Sequence, residues 1–257
     1  MTFTIYNARA IVTIKHFLAP DIESWRKYMH QTVATSRTAL LAAALAAAMA
    51  LAQPAIAAET AVELAPVDVA NLYIKTIINH DAASVAQLNA YLRPTRLAGQ
   101  QSAEYASYSG LKETDAIFPA KTGKLIADLF PAAMRAAVTP AAEQLAANVI
   151  AAMNGAACQA TKAAPVTVEN GMQTAAVSFE CQVVKVPVAW APAAQQLAKS
   201  GCKVEQCKAG LQKIAATYTS SPKQTWRAVF AVSREKNSEA WRNDFARETF
   251  DEIWEYL

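Results

Sequence analysis

The sequence has few histidines and lacks the compact motifs that mark the common enzyme classes. Three histidines occur in 257 residues, and His80 is the one that follows residue 57. There is no G-x-S-x-G elbow, phosphate-binding loop, dinucleotide-binding glycine pattern or H-E-x-x-H helix. His80 beside Asp81 is a candidate general base oriented by a carboxylate, and a helix–helix turn with Asp81 as N-cap is the plainer interpretation. We therefore expect a protein without intrinsic catalysis and assign no catalytic residue.

The chain also lacks an excess of either charge once its first 57 residues are set aside. The whole sequence has a formal charge of +3, but residues 1–57 hold five of the 24 basic residues and two of the 21 acidic ones. Residues 58–257 therefore carry 19 of each. A neutral chain has no electrostatic footprint for a phosphate backbone, so we expect no nucleic-acid partner.

Cysteine is scarce and is never arranged as C-x-x-C. The four cysteines are Cys158, Cys181, Cys202 and Cys207. With one histidine in the same part of the chain, this spacing is not that of a zinc site, and we expect no metal and no cofactor. An even number of cysteines in an exported protein predicts two disulfides. Three pairings are open, and local structure favours Cys158–Cys181 with Cys202–Cys207.

Residues 37–57 have the layout of a secretory signal peptide. Arg37 supplies positive charge, Ala39 to Leu51 is an unbroken apolar run, and Ala55-Ile56-Ala57 is a small-residue cleavage site. The uncharged stretch is shorter than the ~20 residues that span a bilayer, which argues against a retained anchor. No cysteine follows the run, so a lipid anchor is not expected. We predict cleavage before Ala58 and a periplasmic or secreted protein with no transmembrane anchor.

The residues upstream of this leader do not fit a signal peptide, because Asp21 and Glu23 precede it. Met29 begins a more ordinary leader. We therefore predict that translation starts at Met29 and that residues 1–28 are a misassigned extension. Residues 29–57 would be the signal peptide and 58–257 a single mature α+β domain.

The first part of the mature chain is predicted to form helices, several of which begin or end near a proline. A helix is predicted from Pro66 to about Asn79, and Asp81 caps a second one that Arg93-Pro94 ends. Shorter helices are predicted over 122–130 and from Thr139-Pro140 to Asn154. Residues 99–119, between the second of these helices and the one over 122–130, are predicted to form a polar loop. Tyr105 and Tyr108 in this loop are candidates for ligand contact, and packing on the domain surface is the alternative.

The pattern then changes to the alternation of a β-hairpin. Strands are predicted over 158–169 and 173–186 around the turn Asn170-Gly171. This turn pairs Glu169 with Met172 and places Cys158 and Cys181 on one face, two register positions apart. One bulge, or a different turn, would bring the cysteines together.

The last part of the chain is expected to hold a strand and a helix. Thr225 to Ser233 is apolar on both faces, which predicts a central or covered strand. Ser238 caps a predicted C-terminal amphipathic helix, in which Trp241, Phe245 and Trp254 are candidates for partner contact. A surface helix docked on its own sheet is the alternative.

Two segments together resemble the NTF2-like cone fold. Val69 to Leu88, with a turn at Asn79-His80-Asp81, reads as two helices, and Thr225 to Phe230 reads as a late strand with an aromatic start. The resemblance implies N-terminal helices packed on a small, curved antiparallel sheet. That family contains enzymes as well as non-catalytic binding and assembly modules, so it implies no single function.

The sequence as a whole predicts an exported α+β binding or accessory protein. Its partner would be a small apolar ligand or an envelope protein, and a homodimer is left open. The alternatives are a small hydrolase or isomerase that uses His80, and an interaction module that docks an envelope complex through its C-terminal helix.

Overall fold

The computed structural model describes residues 63–235, 238 and 240–243, and all of them belong to the second of two units that divide between residues 57 and 58. Within these residues the chain forms six helices and four strands, which confirms the predicted α+β class. None of the helices within the described residues meets the length and hydropathy of a membrane-spanning segment. The helices are α1 (Pro66–Ile77), α2 (Ala82–Ala98), α3 (Tyr108–Asp128), α4 (Ala132–Asn154), α5 (Trp190–Lys199) and α6 (Val204–Ser220), and the strands are β1 (Ala157–Ala163), β2 (Thr167–Glu169), β3 (Met172–Val184) and β4 (Lys223–Glu235).

The predicted hairpin is present, and two register shifts make its disulfide. Asn170 and Gly171 both have positive φ, as a tight turn requires, and Glu169 faces Met172 as predicted. The register moves by one residue between β2 and the end of β1, and by one more at Thr161. Cys158 thereby comes directly opposite Cys181, and the two are bonded with their Cα atoms 4.0 Å apart.

The second predicted bridge, Cys202–Cys207, is also present, and it closes the turn between α5 and α6 with a Cα separation of 5.5 Å. The described chain has no free cysteine. Both predicted pairings are therefore confirmed.

Three helix boundaries predicted near prolines were wrong: Pro94 was expected to end a helix, Pro119 to end a loop and Pro140 to begin a helix. Helix α2 continues through Pro94, α3 through Pro119 and α4 through Pro140. Residues 108–119, read as loop, are the first half of α3, which Ser107 caps by accepting a hydrogen bond from the Gly110 amide at 3.2 Å. A proline within a helix removes one backbone hydrogen bond. At Pro94 the bond lost is the one to the Ala90 carbonyl. Both residues are exposed, so water can take the place of the missing donor.

The sheet is antiparallel with β3 at its centre, which corrects the central position expected of β4. On one side β3 pairs with β1 and β2, and on the other with β4 along 13 residues. One face of β4 is open: Arg227, Val229 and Ala231 point away from the core, and Val229 is 57% exposed. Val166 and Val168 are exposed as well.

Two hydrophobic clusters fill the fold. In the first, α1 packs on the inner face of the sheet and α2 packs against α1, and the cluster includes Tyr73, Leu88, Phe179 and Phe230. The second lies among α3, α4, α5 and α6, around Leu145 and Leu211. The long helix α4 contributes to both, because Val149 belongs to the second cluster and Ile150 to the first.

The chain beyond β4 is extended where the structure describes it. Ser233 and Arg242 exchange two backbone hydrogen bonds of 2.7 and 2.8 Å as an isolated antiparallel bridge. Residues 240–243 are therefore not the start of the helix predicted from Ser238. The rest of that predicted helix, with Phe245 and Trp254, lies outside the described residues, as do residues 1–62.

Candidate functional site

Asn89, on helix α2, holds the irregular segment 99–107 in place. Its side-chain Oδ1 accepts hydrogen bonds from the amides of Tyr105 at 2.8 Å and Ala106 at 3.1 Å, and its Nδ2 donates to the Ala106 carbonyl at 2.7 Å. Further along α2, the Arg96 Nε donates to the Ser102 carbonyl at 2.8 Å. A segment without regular structure thus receives a defined position from two side chains of one helix.

A cavity, named here the arginine cavity, opens on one side of this segment. It has a volume of about 300 Å³. Helix α2, segment 99–107, helix α1 and the chain after β4 all contribute to its lining, which comprises Tyr73, Leu92, Thr95, Arg96, Gly99, Gln101, Tyr105, Arg242 and Asn243.

The predicted contact residue Tyr105 lines the arginine cavity and is held there by aromatic neighbours. Its ring meets that of Tyr73 edge-on with centroids 5.1 Å apart, and the Arg96 guanidinium carbon lies 5.7 Å from the Tyr105 ring centre. The hydroxyl of Tyr73 in turn accepts a hydrogen bond from the Asn243 amide at 3.2 Å. Both the packing role and the contact role predicted for Tyr105 are therefore compatible with its place.

A second depression, named here the alanine groove, lies on the other side of the segment. It measures about 570 Å³ and is lined by α2 residues that include Ala82, Ala86 and Ala90, with Tyr108 on its far wall. Tyr108 is 42% exposed. The two tyrosines singled out in the sequence thus lie in two different depressions, separated by one short segment.

His80 is brought to a partner that the sequence did not suggest. Its Nδ1 lies 2.9 and 3.0 Å from the two carboxylate oxygens of Asp115 on α3, with the hydrogen bond directed at Oδ2. Lys112 approaches the same Oδ2 at 3.2 Å. The neighbouring Asp81 acts instead as the N-cap of α2, accepting hydrogen bonds from the Ser84 amide at 2.8 Å and hydroxyl at 2.6 Å.

The pKa values of both carboxyl groups reflect these contacts. Burial alone would raise the pKa of Asp115, but hydrogen bonds from His80, Asn154 and Lys112, together with the charge of His80, lower it below its ordinary value. The hydrogen bonds from Ser84 lower the pKa of Asp81. Both groups are therefore stabilised as carboxylates.

His80 connects the α1–α2 turn to helix α3 at a largely buried position. The side chain of His80 is 9% exposed and that of Asp115 is 12% exposed, and His80 lines neither the arginine cavity nor the alanine groove. The adjacent Asn79 donates to the carbonyls of Asn154 at 3.0 Å and Ala156 at 2.6 Å at the end of α4. We interpret the contacts of Asn79, His80 and Asp115 as holding the α1–α2 turn against α3 and α4.

Trp241, predicted as a partner contact, lies in the first hydrophobic cluster and is 3% exposed. Its amide donates to the Tyr91 hydroxyl at 2.7 Å, and the Arg234 guanidinium carbon lies 4.5 Å from its ring centre. Burial raises the pKa of Tyr91. In this arrangement Trp241 holds the extended chain after β4 against α2.

Sequence reasoning missed Asn89, Arg96 and Asp115. Asn89 and Arg96 lie seven residues apart on α2, which places both near the same side of a helix, and this spacing was the available signal. Asp115 is 35 residues from His80, and no local pattern links them. Within the described part of the chain, no group of three or more His, Cys, Asp or Glu side chains is arranged to hold a metal ion.

Comparison with known proteins places this chain in no family. No protein-family model matches the sequence, and no curated protein matches it significantly. Among solved structures, a "putative lipoprotein" from Bacillus subtilis subsp. subtilis str. 168 aligns with a TM-score of 0.33 and 17% identity. The alignment covers 67% of this chain and 55% of that protein, so this chain spans about half of its length. A likeness of this degree carries neither fold nor function across.

Proposed function

We propose that this protein is an exported binding module whose small-molecule ligand lies in the arginine cavity. Export rests on the leader-like residues 37–57 of the sequence, and two disulfides suit an oxidising compartment. The NTF2-like kinship is part of the same proposal, and the packing of α1 on one face of an antiparallel sheet, with α2 against α1, supports it.

The arginine cavity is the observation that carries the binding role. Its volume of about 300 Å³ is at the lower end of the range for small-molecule sites. Leu92 and the ring of Tyr105 supply apolar wall, and Arg96, Gln101 and Asn243 supply polar groups. An apolar wall with a few placed polar groups is the usual composition of a ligand site.

The binding role is tested by native mass spectrometry of the protein purified from the cell envelope without reductant. We expect the mass of residues 58–257 less four hydrogens, together with a small-molecule adduct. Tyr105→Ala should lose the adduct, and Tyr108→Ala, which changes the alanine groove instead, should keep it.

A second cavity variant covers the case in which Tyr105→Ala fails to fold, since Tyr105 packs against Tyr73. Gln101→Trp places a large ring at an exposed lining residue and should displace the adduct without removing a core contact. A wild-type spectrum without adduct, or an adduct that survives Gln101→Trp, would contradict the binding role. A mass that includes the leader, or four free thiols, would contradict export.

A further inference from the structure

We infer that the ligand of the arginine cavity is a small organic anion, with its carboxylate on Arg96 and its flat apolar part near Tyr105; this rests on the proposed binding function. The first observation is the charge of the lining. Of the nine lining residues that the structure describes, two are arginines and none is aspartate or glutamate. A buried or half-buried positive charge without a negative partner is costly, and an anionic ligand would remove that cost.

The second observation is how Arg96 is held. Its Nε is committed to the Ser102 carbonyl, and its guanidinium carbon lies beside the Tyr105 ring. Among the described residues, no acidic side chain forms an ion pair with Arg96. The terminal nitrogens are the part of a guanidinium that binds a carboxylate in two parallel hydrogen bonds, and here the rest of the side chain is already oriented.

Among the residues that the structure describes, Arg96 is the main source of positive charge in the cavity. Arg242 forms an ion pair with Glu235 at 3.3 Å, so its charge is partly offset by that carboxylate. The cavity also lies at the C-terminal end of α2, where the helix dipole carries about half a negative charge. The Thr95, Arg96 and Leu97 carbonyls there already accept hydrogen bonds from the amides of residues 99–101. One full positive charge therefore exceeds the opposing partial charge.

The shape of the site suggests the rest of the ligand. The Arg96 guanidinium carbon lies over the Tyr105 ring, 5.7 Å from its centre, and Leu92 adds a buried apolar surface. A carboxylate on Arg96 would place an attached ring or short hydrocarbon against these groups. An aromatic or similarly flat carboxylic acid satisfies both parts of the site.

The test compares two probes that share a ring and differ in charge, indole-3-acetate and indole-3-acetamide, by isothermal titration calorimetry on the disulfide-bonded protein. We expect the acetate to bind at least tenfold more tightly at low ionic strength, with the difference decreasing as salt is added. Arg96→Gln should bring the two affinities together. Arg93→Gln, one turn earlier on α2 and in the lining of the alanine groove, should leave the tenfold difference unchanged.

Arg96→Lys separates charge from structure, because it loses the bond to Ser102 as Arg96→Gln does but keeps the positive charge. A preference for the acetate that survives in Arg96→Lys and disappears in Arg96→Gln supports the inference. Equal binding of the two probes, with loss of both in Gln101→Trp, would overturn the anionic ligand and leave the cavity as a binding site. If neither probe binds, the inference is overturned, and the native mass spectrum still decides the proposed function on its own.

Discussion

Replacing Asn89 with alanine should release segment 99–107 from α2. The change removes three hydrogen bonds, two donated by the Tyr105 and Ala106 amides and one accepted by the Ala106 carbonyl. A hydrogen bond contributes about 1 kcal/mol net, and water will satisfy part of the loss because the site is half-buried. We expect the free energy of local opening to fall by about 2 kcal/mol, which is roughly a 30-fold increase in the opening equilibrium.

Hydrogen exchange at single residues measures this directly. The Tyr105 and Ala106 amides should exchange roughly 30-fold faster in Asn89→Ala, since exchange reports local opening. Asn89→Asp keeps the accepting oxygen but places a carboxylate oxygen near the Ala106 carbonyl in place of the Nδ2 donor, so protection should fall to a value between those of wild type and Asn89→Ala. The same release should weaken binding of any ligand in the arginine cavity, because Tyr105 would lose its fixed position.

A matched control is Asn148→Ala. Asn148 is also partly buried, and it accepts a bond from Gln144 at 2.8 Å and donates one to the Ala215 carbonyl at 3.0 Å, between α4 and α6. This variant should lower global stability by a similar amount and leave the exchange of Tyr105 and Ala106 unchanged relative to the rest of the chain. Equal exchange of these two amides in Asn89→Ala and wild type would refute the role given to Asn89.

The remaining predictions concern stability. Gly123→Ala should lower the melting temperature by roughly 4–8 °C, about 2 kcal/mol, because its new Cβ would lie 2.5–2.8 Å from atoms of α4. Gly110→Ala on the same helix has room for a Cβ and should raise the melting temperature by up to about 4 °C. A fall of equal size in both variants would contradict the packing argument. Asp115→Asn should destabilise the protein at neutral pH in urea titrations. Since the folded pKa of Asp115 is lowered, the stability it provides is present above its unfolded pKa of about 4 and is lost as pH falls through the lower folded value. The difference in free energy of unfolding between Asp115→Asn and wild type should therefore shrink below about pH 4. A difference that stays constant with pH would count against the contact. Replacing Cys158 and Cys181 by alanine should cost about 3.5 kcal/mol from loop closure, against about 2 kcal/mol for the short bridge between α5 and α6; calorimetry of both double variants would show the order, and the reverse order would be inconsistent with it.

Local features of the fold were predictable where one short pattern decides the structure. The Asn170-Gly171 turn set the strand pairing beside it, because both residues adopt positive φ at little cost. The cysteine pairing followed from that turn once bulges were allowed. Asp81 was identified as a helix cap because its side chain needs only the next turn of chain.

Features that depend on the environment of a residue were not predictable. Pro94 and Pro140 continue their helices because exposure makes a lost backbone bond inexpensive, and exposure belongs to the tertiary structure. The edge position of β4 depends on which strands lie beside it, which its own apolar sequence does not reveal. Likewise, the partner of His80 is set by the packing of α3 against the α1–α2 turn.

The same limit applies to the candidate site. Tyr105 could be named in advance because tyrosine in a polar segment is a typical ligand contact. Arg96 could not be named in advance, because Ser102 and Tyr105 orient its guanidinium. These two residues lie near Arg96 only after segment 99–107 folds back on α2.

Helix α4 has a consequence for how the protein unfolds. At 23 residues it is about 34 Å long, and its buried side chains pass from one hydrophobic cluster to the other between Val149 and Ile150. Displacement of α4 would remove packing from both clusters. We therefore expect the sheet and the helical bundle of the described chain to unfold as one cooperative unit.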